Sequence, residues 1–70
     1  MIEKAMAYLI EKINTEVDGI QEHLADGNCK DFAEYKENCG KVKGLLSVRM
    51  MCLDLQRRAE EYDDWNFNSN

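Results

Sequence analysis

Proline is absent from this 70-residue chain, histidine and tryptophan occur once each, and the three cysteines are an odd number. With no proline, the four glycines carry the punctuation. An odd cysteine count cannot close a disulfide framework, and the N-terminus does not read as a secretory leader. Cys29, Cys39 and Cys52 are therefore expected as reduced thiols in a cytoplasmic setting. Cys39 and Cys52 fall among apolar neighbours and read as small core residues, while Cys29 falls in a turn. There is no CxxC spacing, and His23 is not placed to complete a ligand set, so neither a metal nor a cofactor is expected. No apolar run approaches the roughly 20 residues that cross a bilayer. The longest is Ala5-Met6-Ala7-Tyr8-Leu9-Ile10, with Met50-Met51-Cys52-Leu53 a shorter one, and no membrane partner is expected.

The same scarcity argues against catalysis. His23 has no serine or cysteine nucleophile at a plausible local spacing, and Asp63-Asp64 sit at an end where water leaves carboxyl acidity ordinary. A strand leading into a glycine-rich phosphate loop is missing as well. Two helices enclose no apolar pocket of useful size. No catalytic residue is expected, and the chain does not read as an enzyme.

What is present is helical patterning. In the first segment apolar residues fall at Ile2, Met6, Leu9, Ile13, Val17, Ile20 and Leu24, in steps of three and four. Ala5 and Ile10 widen that stripe, and Gly27 suits the left-handed residue that follows a helix. A second start follows at Asp31, with Glu34 three residues on as the partner in an Asp variant of the capping box. Its stripe runs Phe32, Tyr35, Cys39, Val42, Leu45 or Leu46, Cys52 or Leu53, Leu55, Ala59 and Tyr62. Around Leu45, Leu46, Val48, Met50, Met51 and Leu53 it is apolar on more than one side, as in a helix with two neighbours.

A short connector then folds the two back on each other. The expected fold is all-α: one domain, residues 1–70, built as an antiparallel coiled-coil-like hairpin of helices at about 2–26 and 31–62. A short acidic, aromatic tail follows at 63–70. So small a chain buries only roughly 60% of its unfolded surface. Its core is therefore expected to be completed by oligomerisation or by docking on a partner.

Charge supports the antiparallel arrangement. Residues 1–29 carry six acids against Lys4 and Lys12, and residues 30–58 carry seven bases against four acids. Residues 59–70 then add Glu60, Glu61, Asp63 and Asp64 with no base. Lys36, Lys41, Lys43 and Arg49 read as a solvated face pairing with acids of the first helix. A net charge of −5 does not suit nucleic acid, which is not expected as a partner.

The candidate interface lies on the second helix. Gly40 and Gly44 stand one turn apart in its interior, where each glycine costs about 1 kcal/mol relative to alanine. That cost suggests that another backbone, from the first helix or from a partner, approaches closely there. Tyr35, Leu45, Leu46, Met50, Met51 and Leu53 extend the candidate surface, with the methionines read as core or subunit interface. Tyr62, Trp65 and Phe67 are expected to latch onto a neighbour.

The run Asp31-Phe32-x-x-Tyr35-x-x-x-x-Gly40-x-Val42-x-Gly44-Leu45 resembles a pattern in small helical accessory proteins of tailed bacteriophages, over about a quarter of the chain. The resemblance implies a capsid- or portal-associated virion component, or an early protein that binds a host factor. It implies location in the host cytoplasm or the virion, and no catalytic residue. Tyr35, Gly40, Gly44 and Leu45 are the matching positions. The functional expectation is a protein–protein interaction module, either an assembly protein acting with copies of itself or a larger phage protein, or an inhibitor that binds a host protein.

Overall fold

A computed structural model describes residues 2–61 of the protein, which form two α-helices: α1, Ile2–Ala25, and α2, Phe32–Glu61. They pack along each other as the expected antiparallel hairpin, an elongated body of 52 × 16 × 16 Å. Both helices end within a residue or so of their expected limits. The tail at 63–70, with the expected latch residues Trp65 and Phe67, and Tyr62 before it lie outside the described residues.

Local chemistry explains both sides of the turn. α1 stops in a Schellman motif: Gly27 N–H donates to the Leu24 carbonyl at 3.1 Å and Asn28 N–H to the His23 carbonyl at 3.4 Å. Gly27 takes φ of +72°, the left-handed conformation that a side chain disfavours. On the other side, Asp31 Oδ1 accepts the Glu34 N–H at 2.8 Å and caps α2. Glu34 Oε1 reaches back to accept a backbone N–H at 2.6 Å, but from Lys30 instead of Asp31. The reciprocal box thus spans one residue more than the sequence suggested.

The contact between the helices repeats every three and four residues on both sides, the spacing that keeps one face against a neighbour. On α1 it runs Met6, Ile10, Ile13, Val17, Ile20 and Leu24, all buried or half-buried. Leu9, placed in the stripe by sequence, stands 44% exposed while Ile10 packs on the core in its stead. On α2 the buried and half-buried positions at matching spacing are Asn38, Val42, Leu45, Arg49, Cys52, Gln56 and Ala59. Three of these are polar. Arg49 Nη1 crosses to donate to Asn14 Oδ1 at 2.6 Å, so this base bonds an amide of α1 and not one of its acids. A polar pair in such a seam favours one register over its slipped alternatives.

Among the described residues the buried core is Ile13, Val17 and Cys52, with Met6, Ile10, Val42, Leu45 and Leu46 packed against it. The reading of Cys52 as a core residue holds, and Cys39 is half-buried. A core of this size in a chain below about 70–80 residues rarely supplies more than about 3–5 kcal/mol.

Candidate functional site

Two parts of the molecule offer more than packing: the outer side of α2 and the turn. On α2, the seam positions point at α1 and leave another side to water. Met50 is 67% exposed and Met51 64%, so neither methionine belongs to the hairpin core. Val48 and Leu53 are also exposed. An open groove runs along this side, lined by Ser47, Met50, Met51, Leu53, Asp54 and Arg57. Its polar edge is held in place locally, because Asp54 accepts from Arg57 Nη2 at 2.8 Å and from Arg58 Nε at 2.9 Å. Those two bonds, Arg57 first, pull the Asp54 carboxyl below the usual carboxylate range.

Gly40 and Gly44 belong to this outer side. A Cβ built on either would meet nothing within 4 Å, so α1 does not approach them and the close crossing within the chain does not occur. The physical reason is register. Gly40, Gly44, Ser47 and Met51 fall at i, i+4, i+7 and i+11, one face of the helix, and the seam through Val42, Leu45 and Cys52 occupies another. Leu45 and Leu46, by contrast, are committed to the core cluster. Tyr35 is exposed at the start of α2, its ring stacked 6.1 Å from that of Phe32. Of the expected interface residues, Met50, Met51 and Leu53 line the open groove, and Gly40 and Gly44 are open on the face of α2 turned away from α1. Leu45 and Leu46 face inward, and Tyr35 stands nearer the turn.

No family model matches the sequence, and no curated protein or solved structure matches it.

The turn holds what the sequence reading missed. Once the helices fold back, His23 from the last turn of α1, Cys29 from the connector and Glu34 from the first turn of α2 come together. One donor atom from each lies within 4.8 Å of the other two, and all three residues are half-buried. His23 thus stands beside two other potential ligand residues, a grouping that its local sequence spacing did not suggest. The signal was available in the spacing: His23 and Glu34 lie about equally far from the middle of the turn, so an antiparallel hairpin brings them face to face across it. Asn38 Nδ2 donates to Cys29 Sγ at 3.7 Å, a long contact of the kind sulfur accepts. One helical turn along, the Tyr35 phenol is held above its ordinary value, first by a hydrogen bond with Cys39 and then by the charge that Cys39 and Cys29 would carry as thiolates.

Proposed function

We propose that this chain is a non-enzymatic protein–protein interaction module, and that it works as a small structural or assembly protein of a bacteriophage, associated with capsid or portal. The observation that carries the interaction reading is the open apolar side of α2. Met50, Met51 and Leu53, which line one open groove, are left to water, while the buried core among the described residues is Ile13, Val17 and Cys52. Exposed contiguous apolar surface marks contact sites. The open glycines next to it would let a partner backbone come close at no cost to the hairpin. A second copy of the chain is the first occupant of that side, since a face on one helix suits a two-fold, self-complementary contact. The phage setting rests on the resemblance of residues 31–46 alone.

Absolute mass in solution by light scattering tests the reading. Wild type is expected as a dimer or higher multiple, and Met50→Glu with Met51→Glu as a helical monomer. If the double variant keeps the wild-type mass, the methionine side is not the interface.

The alternative, an inhibitor docking on a host protein, draws on the acids at 59–70 and would show association that weakens steeply with salt. Association that is flat across salt removes it.

A further inference from the structure

We infer that the turn of the hairpin is a binding site for a borderline divalent metal ion of the Zn²⁺ class, with His23, Cys29 and Glu34 as its protein ligands. These supply an imidazole nitrogen, a thiolate sulfur and a carboxylate oxygen, a mixed set that suits Zn²⁺ and not Mg²⁺ or Ca²⁺, which take oxygen. Their donor atoms already lie within 4.8 Å of one another. Tetrahedral bonds of about 2.0–2.3 Å to the metal place ligand atoms roughly 3.5 Å apart, so side-chain adjustments of about 1 Å complete the site.

Three further features prepare it. The Schellman motif fixes the end of α1 by a bond to the His23 carbonyl, so the backbone that carries the imidazole is anchored. Glu34 Oε1 is engaged by the Lys30 N–H at 2.6 Å, which orients the carboxylate. Asn38 Nδ2 donates to Cys29 Sγ, the outer hydrogen bond that a metal-bound thiolate accepts. The ligands come from α1, the connector and α2, so the ion would tie both helices at the turn. That is one of the few ways in which so short a chain gains stability beyond its core. Three protein ligands leave a fourth position for water or for a donor from a partner.

Co²⁺ is the first probe, added to the reduced, metal-free full chain and followed by its absorption. One equivalent is expected to produce a thiolate-to-cobalt charge-transfer band and strong visible bands of a tetrahedral ion, which Zn²⁺ then displaces. Cys29→Ser is expected to abolish the charge-transfer band, and His23→Gln to weaken Zn²⁺ binding by at least about tenfold. Glu34→Gln, which can keep the backbone hydrogen bond to Lys30, should weaken it by a similar factor. Cys39→Ser and Cys52→Ala are expected to retain the band, and Zn²⁺ to raise the melting temperature of wild type but not of Cys29→Ser. Circular dichroism of each metal-free variant shows whether the helices persist. Absence of the band in wild type overturns the site. So does a band that survives Cys29→Ser or is lost equally with Cys39→Ser.

Discussion

The two helices of this hairpin treat their apolar residues in opposite ways. α1 is strongly one-sided and commits most of its stripe to α2. α2 is barely one-sided: it puts Asn38, Arg49 and Gln56 into the contact and leaves Val48, Met50, Met51 and Leu53 outside it. One helix places most of its stripe against the hairpin partner, leaving Tyr8 and Leu9 outside, and the other is only half used by it. A helix with apolar residues on two sides is built for two neighbours.

Substitutions can break that contrast at graded strength. The largest effect is expected at the seam. Ile13→Ala removes a buried branched side chain and should cost about 2–4 kcal/mol, whereas Met50→Ala should stay within about 0.5 kcal/mol for the isolated hairpin. Urea unfolding followed by circular dichroism checks both, and equal losses would dissolve the distinction between the inner and outer sides.

Glycine sharpens it next. Gly27→Ala forces a Cβ into the left-handed conformation at φ +72° and should destabilise by about 1 kcal/mol. Gly44→Ala puts a Cβ into open space and should stabilise the hairpin by up to about 1 kcal/mol. If a partner backbone lies against that position, the same change should lower the association measured by light scattering while raising the unfolding midpoint.

Removing the cap with Asp31→Ala should cost about 1 kcal/mol, read in the same urea curves. The smallest effect belongs to Asp54. Its carboxyl is held below the usual range in the folded chain, so the stability it adds is present above the ordinary carboxylate value and fades as pH falls through the folded one. The melting temperatures of wild type and Asp54→Asn should therefore differ slightly near pH 7 and converge near pH 2.

Much of the fold could be read from the residues. The apolar steps, Gly27 and the Asp31–Glu34 pair place both helices and the turn, because each acts through its near neighbours. Which side of α2 meets α1 could not be read the same way. Apolar content there points to several faces, and the choice is made by long-range fit: Asn14 offers Arg49 a partner, and Ile13 and Val17 meet Cys52. Gly40 and Gly44 misled in part for that reason, since their spacing shows a helix face but not which neighbour it serves. The His23, Cys29 and Glu34 group was missed because the residues were weighed for sequence spacing and not for convergence across a turn.

The burial of Cys52 gives the protein a built-in reporter. Its thiol sits between the helices, 8% exposed, while Cys29 and Cys39 are half-buried. A thiol-reactive dye reaches Cys52 far more readily when α1 and α2 part, so the slowest of the three labelling phases reports openings of the hairpin. Anything that clasps the outside of α2 or the turn would be heard there as a slowing of that clock.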